Sequence, residues 1–188
     1  MKNIRKVLSL LILIIAIFTI TGCGSKNITG SLEDLMTKVY ENVPDDKRPM
    51  MLGNTEITKE NAKYYLGTSD IEFEEGLASE SMTGSIAHSV VLLRVKDNAN
   101  IEEIKNKIKD NIDPRKWICV EAEKICATSS GNVAFLVMSN AEMTDNVYNN
   151  FKKIAENVGE EYIIDNQVPD MEMEDMEIME NVPAAFEG

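Results

Sequence analysis

Side chains that usually carry enzyme chemistry are scarce in this chain. Among its 188 residues it has one histidine, one tryptophan and three cysteines. It has no G-x-S-x-G nucleophile elbow, no phosphate-binding P-loop, and no histidine and cysteine cluster at the spacing of metal ligands. Ser/His or Cys/His catalysis would have to use the single histidine, His88. We therefore expect a protein that is not an enzyme and that has no cofactor.

His88 lies inside a largely apolar segment, 86–95, and we expect it to pack against a sheet rather than to act as a base. Its neighbour Ser89 should point to the opposite face, because successive side chains of a strand alternate. An envelope hydrolase is an alternative function. It would require His88, or the carboxylates of Glu72 and Glu74, to line a cleft filled with solvent.

The first 22 residues have the three parts of a secretory signal. Lys2, Arg5 and Lys6 form a basic start, an apolar run covers 7–20, and small residues follow. The run is shorter than the roughly 20 apolar residues of a membrane-spanning helix. Ile20-Thr21-Gly22-Cys23 resembles the lipobox of bacterial lipoproteins, in which the cysteine thiol is diacylated and the preceding peptide bond is cut. The alternatives are an ordinary signal peptide and an uncleaved anchor.

Cleavage before Cys23 would leave 166 residues, anchored by lipid to the outer face of the cytoplasmic membrane. Two acyl chains on one cysteine give stable anchoring, whereas a single chain is marginal. Removal of residues 1–22 takes away three basic residues and no acidic one, so the net charge changes from −13 to −16. Such a surface repels nucleic acid and anionic headgroups. We expect the anchor to hold the protein at the membrane, with residues 23–30 as a short flexible tether.

Hydrophobic periodicity predicts three long helices, each preceded by residues that can cap it. The capping positions are Ser31, the pair Asn100 and Glu103, and the pair Ser139 and Glu142. Gly159 is predicted to end the third of these helices. A brief additional helix is predicted over 58–66.

Alternating or continuous apolar residues predict the strands. These cover 71–74, 86–95, 117–127, 133–138 and 162–164, with turns at 53–54 and 129–132 and a loop up to Gly84. From 86 to 164 the order is β-α-β-β-α-β, which is that of the ferredoxin-like fold. We therefore predict one α+β domain over 31–164. It has an antiparallel sheet with helices packed on one face, and an N-terminal helix and strand are added, either at the edge of the ferredoxin-like core or over its open face.

Cys119 and Cys126 are the two cysteines that would remain after lipidation. On one strand their Cα atoms would lie roughly 23 Å apart, since each residue advances a strand by about 3.3 Å, and a disulfide needs less than ~7 Å. Their odd spacing also places them on opposite faces. We expect two free, largely buried thiols rather than a disulfide or a metal-binding pair.

Arg115, Lys116 and Trp117 follow the proline that ends the second long helix, and they include the only tryptophan. Arginine and tryptophan are favoured anchors of protein interfaces, so this segment is a candidate partner-binding patch. The alternative is a helix-to-strand corner whose tryptophan fills the core and whose charges are solvated.

The segment 165–188 is acidic and rich in methionine. From Glu160 to Gly188 there are ten acidic residues and no basic one. Four methionines lie at spacings of two and three residues: Met171, Met173, Met176 and Met179. Their thioethers could converge on one Cu(I) ion, because soft sulfur ligands select this metal. The alternatives to copper handling are a disordered acidic segment and an adaptable surface for a partner.

Three segments of the chain resemble a known family. They are His88-Ser-Val-Val-Leu-Leu-Arg-Val-Lys-Asp, Ile101-Glu-Glu-Ile-Lys and Asp113-Pro-Arg-Lys-Trp-Ile-Cys-Val. Over Leu32 to Gly159 the chain resembles a family of small Gram-positive lipoproteins, mostly clostridial, that share a domain of unknown function. The resemblance implies a surface lipoprotein and assigns no catalytic residue. We expect a binding or assembly module whose partners are the membrane, through the lipid, and an unidentified envelope protein or ligand, but no nucleic acid.

The lipid anchor can be tested by replacing Cys23. Cys23→Ser removes the thiol that would be diacylated, so we expect the protein in the medium or as an uncleaved precursor. Cell fractionation and labelling with radioactive palmitate measure these outcomes. Cys119→Ser, which keeps Cys23, is the matched control and should stay with the membrane. A mature Cys23→Ser protein retained at the membrane would contradict the lipidation hypothesis.

Overall fold

An antiparallel sheet of six strands forms the centre of the fold. The computed structural model describes residues 26–155 and 157–166. The strands are β1 (Leu52–Glu56), β2 (Glu75–Ser81), β3 (Ser89–Arg94), β4 (Lys124–Ser130), β5 (Val133–Ser139) and β6 (Tyr162–Asp165). They lie in the order β1-β2-β3-β5-β4-β6, and every neighbouring pair is antiparallel. The predicted α+β class with an antiparallel sheet is confirmed.

Helices cover both faces of this sheet. They are α1 (Leu32–Val39), α2 (Ala62–Leu66), α3 (Ile101–Asn111) and α4 (Ala141–Ala155). The apolar side chains of α1 and α4 pack against one face, and those of α2 and α3 pack against the other. The prediction that helices cover one face is therefore wrong. The reason lies in β3 and β5, where nearly every side chain is buried, so that each face needs its own helical layer.

The strand order departs from a ferredoxin-like fold at β6. The segments β3, α3 and β4 form the expected split unit, with β5 between the two strands. In a ferredoxin-like sheet the last strand pairs with the first strand of that unit, which is β3. Here β2 occupies the place beside β3, while β6 pairs with β4 and sets Ile164 opposite Ile125. The ferredoxin-like detail of the prediction is thus not confirmed.

Two strands lie where the sequence predicts a turn and a loop. The predicted turn at 53–54 lies inside β1, and the predicted loop up to Gly84 contains β2. The predicted strand at 71–74 is irregular chain just before β2. Small and polar residues such as Ser79 give β2 a weak strand signal, yet pairing with β1 and β3 buries it. Tertiary pairing outweighs local propensity here.

The predicted strand at 117–127 begins later, because β4 starts at Lys124. Cys119 has a positive φ of 59°, which interrupts the extended chain. Both remaining cysteines are free; Cys119 is exposed and Cys126 is buried. The prediction of a buried thiol therefore holds for Cys126 and is wrong for Cys119.

Two of the three predicted helix starts are confirmed by their hydrogen bonds. Ser31 Oγ accepts from the backbone N–H of Asp34 at 3.1 Å, at the start of α1. Asn100 Oδ1 accepts from the backbone N–H of Glu103 at 3.2 Å, at the start of α3. Each bond satisfies an N–H that has no partner within the helix.

The start and end of α4 differ from the prediction. Ser139 is the last residue of β5, and the cap is the next residue, Asn140, whose Oδ1 accepts from the N–H of Met143 at 2.8 Å. The predicted capping box of Ser139 and Glu142 is therefore wrong. The described helix ends at Ala155, ahead of Gly159. Serine and asparagine are equally good caps, so the sequence alone does not separate these adjacent positions.

Residues 26–30, which the sequence assigns to a flexible tether, are held on the domain; we call them the strap. Arg94, at the end of β3, donates from Nη1 to the carbonyl oxygen of Ile28 and from Nη2 to that of Gly30, both at 2.6 Å. Asn27 donates to the carboxylate of Asp97 at 2.8 Å, and Ile28 packs against the core. Most of the predicted tether is therefore fixed to the sheet.

Candidate functional site

Two buried polar clusters lie at one end of the sheet, one on each face. We call this the distal end; it is where β2 ends and β3 begins, and the strap end is opposite, where β3 ends. His88 and Ser89 are consecutive residues at the distal end, so their side chains point to opposite faces, as the alternation rule predicts. Each of the two residues belongs to a different cluster.

The His88 cluster lies on the face covered by α1 and α4. His88 is fully buried; its Nε2 is 2.7 Å from Oη of Tyr40, and its Nδ1 is 2.9 Å from Oγ of Ser139. Both ring nitrogens therefore have hydrogen-bond partners. Because Tyr40 follows α1 and Ser139 ends β5, the cluster joins the helical layer to the sheet.

Burial keeps the His88 cluster uncharged. It lowers the pKa of His88 from 6.5 to about 4, with a smaller effect from the positive charge of Lys116. Burial also raises the pKa of Tyr40. A serine beside a histidine is the arrangement of a nucleophile and its base, but Ser139 is only 1 % exposed. In this conformation no substrate reaches the pair, and its hydrogen bonds hold elements together.

The Lys116 cluster lies on the face covered by α2 and α3. The side chain of Lys116, in the loop before β4, is only 6 % exposed and forms an ion pair with Glu80 near the end of β2. Its Nζ also donates to Oγ of Ser89 at 3.2 Å. Taking an ammonium group out of water is costly unless a charge of opposite sign accompanies it. Glu80 supplies that charge.

Three aromatic rings complete the enclosure of the Lys116 ammonium group. Its Nζ lies 4.5 Å from the ring centre of Tyr64, and 5.2 Å from those of Tyr65 and Trp117. Burial lowers the pKa of Lys116, and the carboxylate of Glu80 opposes this shift. Burial and the negative charge of Glu80 raise the pKa of Tyr64 to about 12. Glu80 and the three rings therefore offset part of the cost of burying the ammonium group.

Of the three candidate partner-binding residues, only Arg115 lies on the surface. Its side chain is 75 % exposed and its Nε is 3.8 Å from the carboxylate of Glu121. Lys116 and Trp117 are buried, so these residues do not form a continuous surface patch. The alternative of a helix-to-strand corner fits Trp117 and Arg115. It fails for Lys116, whose charge is buried beside Glu80 instead of being solvated. The sequence does not predict this contact, because Glu80 lies in a distant segment.

A shallow cavity of about 300 Å³ lies beside this corner. Arg115, Trp117 and Cys119 line it, together with Val120 and Glu121. The cavity is wide open to solvent, whereas sites for small molecules enclose most of the ligand. It is therefore a weak candidate for a small-molecule site.

Exposed apolar side chains gather at the distal end. Six large apolar side chains are exposed in the described residues, and four of them lie here, each 64–73 % exposed: Met50, Met51, Met82 and Ile118. We call these four the apolar patch. The backbone N–H of Met82 donates to the carbonyl oxygen of Met51 at 2.9 Å. The backbone N–H of Ile118 donates to the carbonyl oxygen of Gly84, also at 2.9 Å. The sequence does not reveal this patch, because its members come from three separate segments.

The other candidate residues are spread or fall outside the described chain. Glu72 is exposed and pairs with Lys59 at 3.6 Å. Glu74 is also exposed and lines an open cavity of about 330 Å³, but Glu72 is not part of that lining, so the two carboxylates do not share one cleft. Cys23 lies outside the described residues, as do the four methionines of the proposed copper site: Met171, Met173, Met176 and Met179. Within 26–155 and 157–166, no group of three or more histidine, cysteine or acidic residues could hold a metal ion. No helix in those ranges is long and apolar enough to cross a membrane.

Comparison of the chain with protein-family models, with curated proteins and with solved structures gives no match. The resemblance to the clostridial lipoproteins therefore stays a prediction.

The buried histidine predicts a specific loss of stability in acid. The pKa of His88 is about 4 in the folded protein, against 6.5 when exposed, so the unfolded chain binds more protons between these values. The contribution of neutral His88 to the free energy of unfolding is complete above pH 6.5. As the pH falls to 4, up to roughly 3 kcal/mol of it is lost. Urea unfolding of wild type and His88→Gln measures this. The stability difference between them should change over that range, and parallel pH profiles would contradict the prediction.

The buried ion pair predicts strong coupling between Lys116 and Glu80. Lys116→Met or Glu80→Gln leaves one charge buried without its partner, which should lower the free energy of unfolding by about 3–5 kcal/mol. The double variant should cost less than the two single changes added together. Lys107→Met, which removes an exposed pair with Asp70, is the matched control and should cost under about 1 kcal/mol. Strictly additive effects at 80 and 116 would refute the coupling.

Proposed function

We propose that this chain is a lipoprotein, anchored through Cys23 to the outer face of the cytoplasmic membrane, that works as a non-enzymatic binding module. The signal-like residues 1–22 and the lipobox support the location. The apolar patch is the observation that carries the binding role. The partner is an envelope protein that covers this patch.

The concentration of apolar side chains favours a docking surface. Single exposed apolar residues are normal on a protein, whereas several together at one place are typical of interaction sites. Three of the four patch residues are methionines, whose flexible thioether side chains adapt to the shape of a partner. Four of the six exposed large apolar side chains in the described chain belong to the patch.

The buried clusters support binding over catalysis. A general base must reach a proton on its substrate, and His88 has no exposed surface. Both of its ring nitrogens are already hydrogen-bonded, to Tyr40 and Ser139. An envelope hydrolase would need this cluster to open, at the cost of breaking those bonds.

Charge defines the kind of partner. The chain carries 32 acidic and 19 basic residues, so its field attracts a surface of positive charge and repels nucleic acid. Complementary charge speeds association and excludes wrong partners, while apolar contacts supply most of the affinity. The expected partner therefore presents apolar side chains with basic residues around them.

Site-specific crosslinking in intact cells tests this function. A photoreactive residue at Ile118 should give an adduct of one discrete mass. The same residue at Lys153, which is exposed in the last turn of α4, should give none. Met82→Lys places a charge in the patch at an exposed position, and should lower the Ile118 adduct yield at least about tenfold without unfolding the domain.

Two results would contradict the proposed surface. One is an equal adduct yield from positions 118 and 153. The other is an adduct at 118 that Met82→Lys leaves unchanged.

A further inference from the structure

We propose that the strap sets the orientation of the anchored domain, with the strap end toward the bilayer and the apolar patch pointing away from it. This inference rests on the lipid anchor of the proposed function. It goes further, because an anchor on a long flexible tether would leave the orientation free.

Arg94 fixes the strap to the sheet. Its side chain is 13 % exposed and its Nε pairs with the carboxylate of Glu75 at 3.1 Å. The remaining nitrogens donate to the carbonyl oxygens of Ile28 and Gly30. Release of the strap would replace these two hydrogen bonds with bonds to water and expose more of the apolar side chain of Ile28, so the attached state is favoured.

The first described residue of the strap lies against the turn between β4 and β5. Gly131, in that turn, has a positive φ of 53°. A Cβ atom added there would lie 2.5 Å from the carbonyl oxygen of Lys26 and 2.6 Å from Cα of Asn27. The turn and the strap are therefore in close contact. Chain that leads back to Cys23 starts at the strap end.

The link from Cys23 to Lys26 is short compared with the sheet. Three Cα to Cα steps reach at most about 11 Å. The seven residues of β2 run from the strap end to the distal end over about 20 Å. The strap end is therefore held near the acyl chains, and the distal end lies a strand length farther out.

The orientation limits how a partner reaches the apolar patch. A protein lying flat on the same bilayer would meet the strap end. The patch faces outward, so the partner approaches from the side away from the membrane.

Energy transfer from the protein to labelled lipids tests the orientation. The full lipidated chain, with Cys119→Ser to remove the exposed thiol, carries a donor dye at Lys96→Cys near the strap end or at Met82→Cys at the distal end. It is placed in vesicles of phosphatidylcholine and phosphatidylglycerol with an acceptor dye on the headgroups. Transfer should be more efficient from position 96 than from position 82.

Two variants show whether the strap and the short link cause the difference. A Gly/Ser insertion of about 12 residues between Ser25 and Lys26, with a reach of about 20 Å, should abolish the difference in transfer efficiency between positions 96 and 82. The same insertion after Asn166 is the control and should leave it unchanged. Arg94→Gln should also reduce the difference, whereas Arg115→Gln, on the exposed corner, should not.

The outcomes separate the orientation from the anchor. Equal transfer from both positions, or higher transfer from 82, would overturn the orientation while the protein remains on the vesicles. Protein that does not associate with the vesicles would refute the anchor, and the orientation with it.

Discussion

The centre of the sheet is apolar on both faces, and this constraint decides the rest of the structure. All seven side chains of β5 and five of the six of β3 are buried. Since burial of apolar area is the dominant stabilising force, a helical layer is needed on each side. The chain meets this need with α1 and α4 on one face and α2 and α3 on the other. Polar side chains at the distal end are thereby enclosed as well, and each has to find a partner within the protein.

Local features of the fold could be predicted from the sequence, because their causes are local. The caps at Ser31 and Asn100 follow from side chains that bond N–H groups three residues away. The opposite directions of His88 and Ser89 follow from strand geometry alone. In contrast, β2 becomes a buried strand only because β1 and β3 flank it. Its own small and polar residues carry little information on that pairing.

The candidate site was harder to predict, since its chemistry depends on contacts between distant segments. The sequence offers Lys116 as a partner-binding residue or as a solvated charge, and only the fold shows that Glu80 neutralises it. In the same way, strand geometry directs the adjacent Ser89 away from His88, but only the fold shows that Ser139 is the hydrogen-bond partner. The strap has no local signal in the sequence for a related reason. Its small polar residues are typical of a linker, and the residue that fixes them, Arg94, is far away in the chain.

The buried polar clusters and the apolar patch are parts of one arrangement. Lys116 is two residues before Ile118, so the enclosed ammonium group fixes the backbone that carries this exposed side chain. Ile118 in turn bonds the loop after Met82 through Gly84. A surface that is held rigid before binding loses less conformational entropy when a partner covers it. The Lys116 cluster therefore holds the exposed side chain of Ile118 in place at the distal end, which is what the proposed docking surface would require.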